Sequence, residues 1–406
     1  MHPVRSLGWA RPLVPFFCLY ITFGTTLGFL SGGAPLILRA RGIELAEIGL
    51  LQLINLPVGL TFLWAFAVDK IRLPHLPRRI GWITLMQSAT IALLAVLSLG
   101  EAWSLPTLLV LAVATCFCVA TMDVALEALV VETVPDDRRP YVASAKLCGA
   151  SLGGAAGVGL LIGYYEAIGW QNAVLAVVGL NTLFLIPMLR YPEVRLRRLD
   201  AVARHETGSL GRLRVLAPQV LVLGLYFAAM FAVSGVNNLV LLDLGVPLSE
   251  VGFVTGSVAP IINFVMAAFS GALVRRVGTI RLITISAVGV VACGGAMLAA
   301  SAAGSSSLAI AATIFGFVCG GGLGVPVFNT IYRWAQGPRP ATDYALLFGA
   351  AFFAAMPLRV AAPALAGLVG WATYFALAIP FYAVAVLCLR AAIGRTLDAD
   401  RAGGLA

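Results

Sequence analysis

A chain of 406 residues that is 60% hydrophobic and only 11% charged is not a soluble protein, because a soluble domain needs about 25% charge on a surface that faces water. The mean hydropathy of +0.97 spreads this bias over the whole chain, which also excludes a soluble domain on one anchor. The net charge of +9 would point to nucleic acid only if it clustered on one soluble surface; it is spread loop by loop, and no nucleic-acid partner is expected.

Apolar runs of the length that crosses a bilayer, about 20 residues, fall near 14–37, 45–67, 81–100, 105–131, 141–165, 171–190, 216–240, 250–273, 279–301, 307–333, 343–368 and 371–393. They are too long and continuous for barrel strands. The expected fold class is therefore an all-α membrane protein of about twelve transmembrane helices. Little polar sequence separates the runs near Gly304 and near Gly370, which leaves counts of eleven or thirteen open. Arg5 and Arg11 precede a first run too long for a signal-peptide core, so that helix is expected to stay.

Loop charges set the orientation. With the N-terminus inside, 23 of the 27 Lys and Arg residues fall in inside segments, and only Arg39 and Arg41 fall outside. Both termini are therefore expected in the cytoplasm. The basic excess is a topology signal.

In chain order, the first span carries Tyr20, Thr22, Thr25 and Thr26, and the second Gln52 and Asn55. The short loop after it holds Asp69, Lys70, Arg72, Arg78 and Arg79. It reads as a charged brace that sets the angle between helices and gates the inside, or as ordinary positive-inside anchoring. Asp123 and Glu127, four apart on the fourth span, share one helix face. Lys146, early in the fifth span, is expected at a similar depth. Two readings stand for this trio: a proton-coupling or gating site, or a structural ion pair at the cytoplasmic rim. Gly149, Gly153 and Gly157 repeat every four residues along the same span, the spacing of close helix packing.

A polar stretch, 191–215, divides the chain into an N-terminal bundle over 1–190 and a C-terminal bundle over 216–406. Beyond it come Tyr226, Asn237 and Asn238 on the seventh span, Asn263 on the eighth, and Asn329 and Tyr332 on the tenth. Arg359 lies deep in the eleventh, between Pro357 and Pro363. It is expected to be buried there among Phe352, Phe353, Leu358 and Val360. A substrate carboxylate or phosphate suits its planar fork; Asp243 is its one plausible protein partner by depth. The alternative is structural hydrogen bonding to carbonyls freed by the prolines.

The seven cysteines all fall inside apolar runs and read as packing residues. His2, His75 and His205 all lie in loop segments, so no metal site is expected. The chain carries no Walker sequence and no nucleophile constellation near an interface. No cofactor is expected, and a membrane-embedded enzyme is disfavoured.

The halves resemble each other. Gly42, Leu45, Glu47 and Gly49 match Gly245, Leu248, Glu250 and Gly252, and at the same offset Pro57 matches Pro260 and Arg72 matches Arg275. Two parallel six-helix halves are the architecture of the major facilitator superfamily, which this chain resembles along its whole length. Within it, Phe62, Leu63 and Trp64 followed by Val68, Asp69, Lys70, Arg78, Arg79, Gly81 and Trp82 are similar to the AmpG-like muropeptide permeases. So is the stretch around Asp123 and Glu127 with Val134, Pro135, Asp136, Asp137 and Arg138 after it. The chain departs from that pattern with Met122 in place of glutamine and Glu127 in place of aspartate. Its shorter length is that of the RhtX/FptX siderophore permeases.

This resemblance implies an inner-membrane secondary active transporter that imports a siderophore or ferric siderophore by proton-coupled alternating access. The alternative it carries is a muropeptide permease. The expected partners are a small-molecule substrate, protons and the lipid bilayer. The expected substrate contacts are Arg359, Tyr20, Thr25, Tyr226, Asn237 and Asn329. The expected coupling or gating residues are Asp123, Glu127, Lys146, Asp69, Arg78 and Arg79.

Overall fold

Hydrocarbon offers no water to backbone N–H and C=O groups, so a spanning chain must pair them within itself. The structure, a computed structural model, describes residues 13–34, 54–74, 76–160, 165–191, 209–337 and 339–403. Among these residues ten helices are long and apolar enough to cross a bilayer. In the expected second span the described residues form helices over Leu56–Leu60 and Ala65–Lys70, and in the fifth a helix over Arg139–Ala155. The first copy of the internal repeat, Gly42 to Gly49, lies outside the described residues, as do Arg39, Arg41, Gln52, the three histidines and residues 192–208 of the linker.

The chain forms two compact units. The first begins with α1 (Val14–Gly28), which runs on into a π-turn over Phe29–Gly33. Next come α2 (Leu56–Leu60) and α3 (Ala65–Lys70), joined by one tight turn. Then follow α4 (Arg78–Leu97), α5 (Leu105–Thr133), α6 (Arg139–Ala155) and α7 (Tyr165–Leu189). A π-turn over Ala156–Leu160 continues α6.

The glycines of the fifth span do what their spacing predicts. A Cβ on Gly153 would stand 2.1 Å from the Ile21 carbonyl oxygen, and one on Gly157 2.4 Å from that of Thr25. Gly24 of α1 returns the approach, since its Cβ would meet the Ala150 carbonyl at 2.3 Å. The two backbones therefore touch along several turns, the geometry that small residues give membrane helices. At the other end of the unit, Trp170 fills the core between Phe29, Leu97 and Leu108. Its indole N–H donates to the Leu97 carbonyl at 3.0 Å.

The second unit contains α8 (Ser209–Ser234), α9 (Asn237–Asp243), α10 (Leu248–Phe253), α11 (Ala259–Val277), α12 (Thr279–Ala303) and α13 (Ser306–Trp334). The next helix, α14 (Pro340–Tyr344), packs with the first unit although it follows α13 in sequence. It opens the eleventh span, which continues through a π-turn over Ala345–Ala350 into α15 (Ala351–Val369). The last helix is α16 (Trp371–Gly403).

The two doubtful boundaries in the hydropathy are real turns. Gly304 has φ 65° and Gly370 φ 79°, a region open to glycine and costly for other residues. The N–H of each closes the preceding helix, on Ala300 and Ala366. Short connections of this kind hide span ends from a hydropathy count.

Candidate functional site

The fourth span positions the first cluster. Asp123 and Glu127 are one helical turn apart on α5, and the close seam between α1 and α6 decides what faces them. A Cβ on Gly149 would stand 2.8 Å from Tyr20 Cβ. That glycine, three residues after Lys146, lets α6 lie against α1 and carry the lysine to the acids. Lys146 Nζ donates to Asp123 Oδ1 at 3.2 Å and to Oδ2 at 3.4 Å, and it also pairs with Glu127 Oε1. Tyr20 donates its hydroxyl to the same Glu127 oxygen at 3.0 Å. Tyr344, from α14, accepts a hydrogen bond from Lys146 at 2.9 Å.

Three rings complete a cage. Lys146 Nζ lies 5.3 Å from the ring centres of Tyr20 and Tyr344 and 5.9 Å from that of Phe23, within the range of cation–π attraction. Exposure is 5% at Asp123, 0% at Glu127 and 4% at Lys146. Two carboxylates and one ammonium thus share a buried pocket six to ten residues, or ~9–15 Å, from the Thr133 end of α5.

A second cluster lies at the basic-loop end of the same unit. Arg79 is fully buried and donates to the Val68 carbonyl at 2.9 Å, to Asp69 Oδ1 at 2.7 Å and to Glu132 Oε1 at 2.6 Å. Arg78 reaches the same Glu132 oxygen at 2.6 Å. Asp69 in turn accepts the backbone N–H groups of Ala341 at 3.2 Å and Thr342 at 2.7 Å, and the Thr342 hydroxyl at 2.6 Å. One carboxylate near the end of α3 therefore holds both a buried guanidinium and the first turn of α14, whose N–H groups need an acceptor.

The other expected substrate contacts sit on the spans the sequence reading gives them. Tyr20 spends its hydroxyl in the cage. Thr25 bonds the Ile21 carbonyl of its own helix at 2.9 Å and packs on Gly157. In the second unit, Asn329 lines a small pocket with Thr279, Arg333, Trp334 and Thr396 near the end of α13. Tyr226 is buried beside Phe227. Asn237 is buried at the break between α8 and α9, and its side-chain oxygen has no hydrogen-bond partner among the described residues.

Arg359 is not buried among phenylalanines and aliphatic groups; it is exposed on α15, as is Val360. Its guanidinium rests 5.1 Å from the centre of the Phe231 ring. Asp243 does not pair with it. That carboxylate accepts the Trp371 indole N–H at 2.7 Å.

Sequence reasoning missed Glu132 and Tyr344. Glu132 follows Glu127 by five residues, and a third acid on one apolar helix was its only signal. Tyr344 had none, because its partner is 198 residues away.

Residues 16–332 match the Major Facilitator Superfamily. The chain belongs to this superfamily. The anhydromuropeptide permease of Escherichia coli (strain K12) is 24% identical over 387 residues, covering 90% of this chain and 77% of that protein. A putative transporter AmpG 1 of Rickettsia conorii is 31% identical over 150 residues, 36% of this chain and 34% of the other. Among solved structures, the proton:xylose symporter XylE aligns over 95% of both chains with a TM-score of 0.70 and 14% identity. A bacterial homologue of the iron transporter ferroportin aligns over 93% of this chain and 97% of the other, with a TM-score of 0.66 and 14% identity. At such identity these two structures show the fold alone. The protein is a multi-pass membrane transporter of about twelve helices in two halves.

Proposed function

We propose that this transporter imports an organic, anionic cell-wall fragment of the muropeptide kind across a bacterial inner membrane, driven by protons, with both termini in the cytoplasm. The relative that matches 90% of this chain and is named an anhydromuropeptide permease supports this substrate class over the siderophore. The loop charges support the orientation.

The observation that carries proton coupling is the cage of Asp123, Glu127 and Lys146. Two ionised carboxylates facing one ammonium leave an uncompensated negative charge at membrane depth, which is costly. A proton on one carboxyl makes the cage neutral, and losing it requires water to enter. Protonation and access are therefore linked. Asp69 is the complementary gate residue, because freeing Thr342 from it releases the head of the eleventh span while Glu132 keeps Arg78 and Arg79 paired.

Uptake of radiolabelled anhydromuropeptide into ATP-free membrane vesicles tests the reading. Accumulation that follows an imposed proton gradient and collapses with a protonophore supports it. Accumulation that ignores the gradient refutes proton coupling, and no uptake of the muropeptide refutes the substrate class.

A further inference from the structure

Five phenylalanines of the second unit meet along one wall, some edge to face and some stacked or tilted. Phe231 and Phe352 have ring centres 5.4 Å apart, Phe227 lies 5.8 Å from Phe348 and 6.1 Å from Phe352, and Phe348 lies 5.7 Å from Phe352 and 5.6 Å from Phe328. These are favourable aromatic separations. All five are only half-buried, whereas Phe16, Phe29 and Phe375 of the same chain are wholly covered. The cluster is thus a surface and not a core.

Arg359 decides what that surface faces. It crowns the wall, over Phe231. Ten helical residues, ~15 Å, separate it from the outer end of α15 at Val369, farther than an arginine side chain snorkels. A guanidinium at that depth avoids lipid and turns to a polar interior, so the wall beneath it turns the same way. Among the described residues no carboxylate pairs with Arg359, and Asp243 is already held by Trp371. An exposed, unneutralised cation over a phenylalanine wall is matched to one chemistry. Its planar N–H fork takes a carboxylate, and the rings, which offer no hydrogen bond, take the nonpolar face of a ring next to it.

We infer that Arg359 and Phe231, Phe352, Phe348, Phe227 and Phe328 form a ligand subsite for a ring-borne carboxylate: an organic acid whose acid group sits beside a ring with a nonpolar face. The inference rests on the importer reading for its biological direction, but not on the muropeptide. Sugar acids of the muramic type and aryl acids share this chemistry.

The test is equilibrium binding to the full-length chain in nanodiscs, with two matched probe pairs. One is anhydro-N-acetylmuramic acid and its methyl ester; the other is salicylic acid and its methyl ester. For the acid that binds, Arg359→Gln is expected to weaken affinity about tenfold or more, as for a lost charge-assisted bond, and to leave the ester unchanged. Phe352→Ala is expected to weaken acid and ester alike. If Arg359→Gln does not fold, Arg359→Lys serves, and a smaller loss confined to the acid is expected. Binding of the aryl acid alone with this pattern keeps the subsite and assigns it an aryl acid in place of a muramic-type acid. Binding of an acid with this pattern but without proton-driven uptake keeps the subsite and refutes the importer. Equal effects of the Arg359 variants on acid and ester, or binding of neither acid, overturns the subsite.

Discussion

Lys146 Nζ donates to the hydroxyl of Tyr344 at 2.9 Å, across 198 residues of sequence. The contact ties the fifth span to the first turn of the eleventh, and it places an aromatic lid on a lysine that already holds two carboxylates. Charge balance in this cage is the basis for the first prediction. Lys146→Met leaves two acids without a cation, a change that costs about 3–5 kcal/mol for a buried pair. Folded yield is expected to fall sharply. Lys146→Met combined with Asp123→Asn and Glu127→Gln is expected to recover yield, because none of the trio's charges remains buried, but not to recover accumulation. Size-exclusion profiles with parallel uptake assays check both halves. Recovery of accumulation would make the trio purely structural.

The loop cluster separates a structural role from a gating one. Glu132→Gln leaves the buried Arg79 with one carboxylate instead of two, and a loss of stability of about 3 kcal/mol is expected. Asp69→Asn keeps Arg79 on Glu132 and weakens the hold on Ala341 and Thr342. Because Arg79 keeps its hydrogen bonds to Glu132 and loses the charge of Asp69, a smaller loss of stability than for Glu132→Gln is expected, with faster labelling of a cysteine placed at Thr342. Unchanged labelling in a folded Asp69→Asn protein would remove Asp69 from the gate.

The glycine seam gives a steric prediction with an internal control. Gly153→Ala drives a methyl into the Ile21 backbone, whereas a Cβ on neighbouring Gly154 meets nothing within 4 Å. Gly153→Ala is expected to destabilise by about 1–3 kcal/mol, as overpacking does, and to lower the apparent Tm by several degrees. Gly154→Ala is expected to match the parent. Thermal unfolding in detergent measures both, and equal melting of the two variants would contradict the seam.

Orientation is tested by single cysteines. Positions Ser209 and Ala402 are expected to label from the cytoplasm, and Ser305 from outside. Labelling of Ser305 only from the cytoplasm would invert the topology.

Much of this was legible in the sequence. Helical spacing and an apolar surround were enough to single out Asp123, Glu127 and Lys146, because a charge inside a spanning helix has few innocent reasons to be there. The glycine repeat announced a close seam, and the seam explains why Lys146 reaches both acids. What was not legible depends on pairing between distant segments. Tyr344 carries no charge or spacing signal, and Asp69 gave no hint that its oxygens are used by Thr342. Arg359 was placed on the right span but on the wrong kind of surface. Hydropathy averages over a helix and does not tell its packed side from its open one. Asp243 looked like a partner by depth, and the Trp371 indole, invisible to charge counting, took it instead.

The central claim is that the cage of Asp123, Glu127 and Lys146 carries the proton that drives import. The most direct measurement is solute-evoked proton entry into proteoliposomes loaded with a pH-sensitive dye, at fixed membrane potential. Addition of anhydromuropeptide is expected to acidify the lumen with the parent protein. With Glu127→Gln or Asp123→Asn it is expected to evoke no acidification while exchange of labelled for unlabelled solute continues. Acidification that persists in both variants, or solute entry by the parent protein without any pH change, would contradict the account.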